Sequence, residues 1–127
     1  MKRPLQYFRL SEFDSPDDPG SGAREMDEEF VYLLDRARHA SGVPYRITSG
    51  FRTQEYHDDL TKRGYPTAKN SSHLRGLAAD IQTNNSRERY LILRGLFSVG
   101  LNRVGIGRTF IHVDNDTEKT EDLTWVY

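Results

Sequence analysis

At 127 residues the chain has the length of one ordinary domain and can bury a core without covalent staples, so a single domain over residues 1–127 is expected. Its 18 basic and 19 acidic side chains leave a formal charge of −1, which argues against a general electrostatic attraction to nucleic acid or to an anionic membrane. The absence of cysteine excludes disulfides, thiolate metal sites and a cysteine nucleophile, so any metal must be held by His, Asp and Glu.

The N-terminal stretch MKRPLQYFRLSEF has two early basic residues but no apolar run behind them. It reads as a strand or arm of a soluble protein made in the cytoplasm. Residues 14–22, DSPDDPGSG, read as a turn-rich loop or short linker. Met26, Phe30, Leu33, Leu34 and Ala37 then recur at helical spacing, and Ser41-Gly42 supplies a stop. YRITSG (45–50) alternates like a short strand, after which Thr53 is placed to cap a second helix over residues 54–63. The small and apolar LAADIQ (77–82) suits a buried strand, and Ser86 suits the N-cap of a third helix that ends before Gly100. NRVGIGRTFIHVDND reads as two strands around a turn near Gly107, and LTWVY as a last strand or packed tail. Helices early and strands late point to an α+β fold, a small antiparallel sheet with helices packed on it.

Four histidines carry the chemistry available to the chain. His39 falls near a helix end, where a histidine suits the helix dipole, and His57 falls in the charged, exposed-looking EYHDD. His73 and His112 differ, because Asp80 follows the first by seven residues and Asp114 follows the second by two. Strand alternation in FIHVD puts Phe110, His112 and Asp114 on one face, with Ile111 and Val113 on the core face. Asp80, in a strand that reads as buried, needs a cation or hydrogen-bond donors there. Spacing alone leaves two readings open. One is a zinc site with three protein ligands and a free fourth position. In the other, His73 caps a turn, Asp80 accepts backbone N–H bonds and His112 is a half-buried structural histidine.

SSHLRGLAAD resembles the S-x-H-x-x-G-x-A-x-D motif of the zinc D-Ala-D-Ala carboxypeptidase family at Ser71, His73, Gly76, Ala78 and Asp80. GIGRTFIHVD is similar to that family's second-histidine segment at Gly105, Gly107, His112 and Asp114, and SGFR (49–52) to its SGYR turn. The resemblance spans about residues 7–114. It implies the α+β fold shared with hedgehog signalling domains and one zinc ion on His73, Asp80 and His112. Arg52 would stabilise an oxyanion or hold a substrate carboxylate, and Ser71 would bind substrate or cap its loop. One departure stands out: several branches place a catalytic acid three residues before the second histidine, where this chain has Thr109. Asp114 is then the nearest acid on the strand face, as general base or as a partner that orients His112.

The expected function is hydrolysis of peptide bonds in peptidoglycan stem peptides, as a D-Ala-D-Ala carboxypeptidase or an L-Ala-D-Glu endopeptidase. The alternatives are a non-catalytic zinc-containing binding module and a phage virion component of the same fold. The expected partner is the wall peptide, bound by a monomer without nucleic acid or membrane. A protein without a signal peptide would reach the wall through a holin or on a phage particle, in the manner of an endolysin.

Overall fold

A computed structural model describes residues 3–127. The chain enters along the first long helix rather than as a strand. Asp35, fully buried, accepts backbone N–H bonds from Gln6 (3.0 Å), Tyr7 (2.9 Å) and Phe8 (3.2 Å). This anchor lets Phe8 and, after a 3₁₀ turn at Leu10–Phe13, Phe13 enter the core.

Residues 14–22 are ordered by their own side chains. Asp14 accepts from Gly20 N (3.0 Å) and Gly22 N (2.8 Å), and a five-residue helix, α1 (Ser21–Glu25), starts where the composition predicts only loop. Gly22 allows this: a Cβ there would lie 2.1 Å from the Leu10 carbonyl oxygen, so the helix can close against the preceding turn. Helix α2 (Glu28–Ser41) follows, with Asp27 capping it through Phe30 N and Gly42 ending it in the left-handed region at φ 71°. Of its predicted stripe, Phe30, Leu34 and Ala37 are buried, joined by Val31; Leu33 is half-buried, and Met26, also buried, ends α1 instead.

Strand β1 (Ile47–Ser49) is short, and α3 (Gln54–Lys62) is capped by Thr53 as predicted. After a 3₁₀ turn at Ser72–Arg75 come β2 (Ala78–Gln82) and α4 (Ser86–Ser98). The N-cap of α4 is Asn85, one residue before the predicted Ser86. Its side chain accepts from Glu88 N, while Ser86 is already in the helix. Strands β3 (Arg103–Ile106), β4 (Phe110–Asp114) and β5 (Leu123–Val126) complete the chain.

The described residues form a five-stranded sheet in the order β1-β2-β4-β3-β5, so the fold is α+β. Helices α2 and α4 pack together so closely that a Cβ on Gly95 would lie 1.9 Å from Ser41 Oγ. They share one core with the inner-face residues Ala79, Ile81, Val104, Ile111 and Val113. The first four strands pair antiparallel, as predicted, but β5 runs parallel to β3. The reason is local. Strand β4 already has β2 and β3 on its two edges, and it ends at Asp114 opposite Arg103. The chain therefore passes around the start of β3 and resumes at Leu123 on the other side of Arg103. Arg103 holds both ends of this crossing, donating to the Asp114 carboxylate (2.7 Å) and to the Thr120 carbonyl.

Asp35 carries a stability prediction. Burial opposes ionisation, but the backbone donors and Arg36 outweigh it and hold the Asp35 carboxyl below its ordinary pKa. Asp35→Asn turns an amide N–H₂ toward backbone donors and is expected to cost about 2–3 kcal/mol in urea unfolding near neutral pH. Because the folded pKa lies below the unfolded one, this stability is present above about pH 4–5 and is lost as pH falls through the folded value. The gap between wild type and variant should therefore narrow in acid.

Candidate metal centre and cleft

The outer face of the sheet carries the predicted site residues. Asp80 on β2 lies directly opposite His112 on β4, and directly opposed residues project from the same face. His73 arrives from the 3₁₀ turn preceding β2, whose N-cap is Ser71: Ser71 Oγ accepts from His73 N at 3.2 Å. Gly76 ends this turn at φ 70°, and a Cβ there would lie 2.0 Å from the Glu25 carbonyl oxygen. The glycine of the motif is thus required twice, by backbone conformation and by close approach.

The hydrogen bonds fix which nitrogen of each imidazole faces the site. His73 Nδ1 lies 2.7 Å from the Gly50 carbonyl oxygen, so it carries the proton and leaves Nε2, 3.4 Å from Asp80 Oδ1, as a lone pair. His112 is the other way round. Its Nδ1 is 3.0 Å from Asp80 Oδ1, and its Nε2 donates to Asp114 Oδ2 at 2.8 Å. One donor atom from each of His73, Asp80 and His112 lies within 4.8 Å of the other two. Burial holds the His73 pKa below the ordinary imidazole value. Burial acts the same way on His112, but Asp114 and Asp80 outweigh it and raise that pKa. Burial would also raise Asp80, yet His73 and His112 outweigh it and keep the carboxylate ionised. Two imidazoles and a carboxylate, mostly buried and converging without sulfur, fit a borderline divalent cation with a further position open.

Asp114 is on the predicted strand face, but its carboxylate is not turned toward this centre. It sits beyond the Nε2 side of His112, and its other oxygen accepts from Arg103 Nε (2.7 Å) and Asp116 N (3.3 Å). Of the two roles expected for Asp114, this placement favours the partner that orients His112 over the general base. With both oxygens engaged and only 2% of the residue exposed, it orients the His112 ring through the nitrogen that faces away from the donors. Asp116, another acid near the motif, is fully buried against Ser72 and Arg75. Asp58 and Asp59 on α3 are engaged by Gln54 of the same helix and by Arg63 at its C-cap.

Arg52 follows the SGFR turn, with Arg52 N bonded to the His73 carbonyl at 3.1 Å. Its Nε donates to Ser49 Oγ (3.0 Å), and its Nη2 stands 3.5 Å from Asp80 Oδ2. The guanidinium is thereby held beside the three donors in an open cleft of about 370 Å³, which Ser71, residues 66–68, Phe110 and Tyr127 also line. Asp80 is the one side-chain carboxylate among the described residues lining it. Thr109 sits on the adjoining shoulder with Thr48, Gln82 and Phe110.

The other two histidines lie elsewhere. His39 bonds the Tyr7 hydroxyl at 2.7 Å. His57, expected at the surface, is only 4% exposed, and its Nε2 donates to the Ala68 carbonyl at 2.9 Å, tying α3 to the 66–68 segment of the cleft. The charged neighbours in EYHDD point outward, while one residue per turn faces in. Sequence reasoning also missed Trp125 and Tyr127, which reach the site face from β5 and just beyond it. The i, i+2 alternation in LTWVY was the available signal.

The model of a family described as Peptidase M15 matches residues 7–114. A search of curated proteins finds no match.

Proposed function

The chain belongs to the peptidase M15 family, and from that premise we propose that it is a zinc metallopeptidase hydrolysing peptide bonds in peptidoglycan stem peptides, as a D-Ala-D-Ala carboxypeptidase or an L-Ala-D-Glu endopeptidase. The observation that carries this reading is the convergence of His73 Nε2, Asp80 Oδ1 and His112 Nδ1 beside the Arg52 guanidinium in one open cleft. When bound there, zinc supplies Lewis-acid polarisation of a carbonyl and lowers the pKa of water toward about 7. The chain's own groups do the rest. The Gly50 carbonyl and Asp114 fix the two imidazoles in the tautomers that ligation needs. Arg52, anchored by Ser49, offers a fixed cation to a substrate carboxylate or to the charge that develops on the attacked carbonyl oxygen. Ser71 caps the turn that carries His73, its oxygen engaged by the His73 backbone.

A second reading, a zinc-containing binding module, is favoured by one observation: apart from Asp80, no side-chain carboxylate of the described residues lines the cleft to act as proton acceptor. Digestion of purified peptidoglycan with mass analysis of the fragments, with and without a chelator, separates the two. Chelator-sensitive release of D-Ala or of fragments cut between L-Ala and D-Glu supports the peptidase. An unchanged wall supports the module. Among the described residues no helix is long and apolar enough to cross a membrane. The reading further places the protein as a monomer made in the cytoplasm that reaches the wall after release or as part of a phage particle.

Asp114 gives a separate test. As the partner that orients His112, it should on change to Asn weaken zinc binding by about ten- to a hundredfold. Competition with a chromogenic chelator measures this. Wild-type zinc affinity with lost hydrolysis would return Asp114 to the role of base.

A further inference from the structure

Strand β5 lies beyond the matched residues 7–114, yet Trp125 on it contacts His112, and Tyr127, just past its end, lines the cleft. Register shows how. Asp80 opposes His112, His112 opposes Gly105, and Gly105 opposes Trp125, so the four form one row on the outer face. Gly105 leaves that row without a side chain, and the aromatic residues of the C-terminal segment fold over the gap. A Cβ on Gly105 would lie 2.4 Å from Trp125 Nε1 and 2.7 Å from Tyr127 Cε2, and one on Gly107 would lie 2.1 Å from Phe110 Cε1. Both glycines of GIG are therefore spaces that three rings occupy. Trp125 rests against the His112 imidazole with centroids 5.6 Å apart, and Tyr127 rests against Phe110 at 5.0 Å. The backbone N–H of Tyr127 is tied to the Ile106 carbonyl at 3.1 Å, so the ring is placed by the sheet. Tyr127 remains 63% exposed, an apolar surface left open beside a metal-fitting triad and a fixed arginine.

We infer that β5 completes the cleft: Trp125 is a positioning residue that holds the His112 ring, and Tyr127 is the wall on which an alanine methyl group next to the scissile bond packs. This rests on the reading of the protein as a peptidase of stem peptides. The ionisable side chains at the heart of the cleft are the triad and Arg52, so an incoming peptide meets charge there and ring carbon at Phe110 and Tyr127. A small apolar side chain is what such a wall discriminates, because contact with it is lost when the methyl is removed.

The test uses zinc-loaded full-length protein and stem peptides ending in D-Ala-D-Ala or containing L-Ala-D-Glu, each with a counterpart carrying Gly for Ala. Tyr127→Ala is expected to raise KM about tenfold, with kcat and zinc content within about twofold, and Tyr127→Phe to bring KM back to within about threefold of wild type. The Ala-to-Gly penalty of about three- to fivefold in wild type should disappear in Tyr127→Ala. An unchanged KM in Tyr127→Ala, a Phe variant as poor as the Ala variant, or a methyl penalty that survives the loss of the ring would each overturn the assignment. Trp125 is the only tryptophan, so its emission reports on the centre directly. Zinc alone should change that emission, and emission indifferent to zinc would overturn the placement of Trp125 against His112. Should wild type hydrolyse none of the peptides, the peptidase reading falls, and the same emission then follows peptide binding. Affinity that depends on Tyr127 keeps the wall, whereas binding independent of Tyr127, or none, removes it.

Discussion

Replacing His73 or His112 with alanine is expected to abolish stoichiometric zinc binding and to lower hydrolysis by roughly a thousandfold or more, because the several kcal/mol of transition-state stabilisation supplied by a Lewis acid is lost with it. Purified wild type should hold about one zinc per chain by elemental analysis, and either variant much less. The structure selects the control. His57 is buried and holds the 66–68 segment of the cleft, so its removal disturbs more than a surface. His39, whose ring bonds the Tyr7 hydroxyl, lies in the last turn of α2 away from the cleft, and His39→Ala should keep zinc and activity. Zinc retained at wild-type stoichiometry in both His73→Ala and His112→Ala would remove the triad from consideration. Saturating zinc should also raise Tm in wild type and not in these variants, since it binds a site assembled only in the folded chain.

The second large effect is expected at Arg52. Change to Ala should reduce kcat/KM by about a hundredfold or more while zinc content and folding persist, the range seen when one preorganised donor to a developing oxyanion is removed. Arg52→Lys should recover little. The guanidinium donates through Nε to Ser49 and presents its other nitrogens beside Asp80, a fork that a single ammonium cannot reproduce. Wild-type kinetics in Arg52→Ala would make it a structural partner of Asp80 and nothing more.

Much of the fold was readable locally. The stripe Phe30, Leu34, Ala37 and the stop at Gly42 give α2, and the alternation in FIHVD separates Ile111 and Val113 in the core from His112 on the outer face. Readings failed where side chains compete with composition. Residues 14–22 look like a linker, but Asp14 satisfies the backbone of α1. EYHDD looks exposed, but His57 alone turns inward to a carbonyl eleven residues away.

By itself, the sequence determined the donor set. With no cysteine, histidines and aspartates at 73, 80, 112 and 114 are the metal-competent groups that its motifs single out, and a strand period of two places His112 and Asp114 on one face whatever the sheet looks like. Only the tertiary structure decided how each is turned and what it bonds. Which imidazole nitrogen faces Asp80 depends on the Gly50 carbonyl, 23 residues before His73, and on a carboxylate that Arg103 draws to the far side of His112. Strand β5 brings Tyr127 to the cleft because β4 has no free edge, which sends the chain around Arg103 to pair parallel with β3. Tautomer, orientation and strand order are set by hydrogen-bond partners distant in sequence, and local propensity carries no information about them.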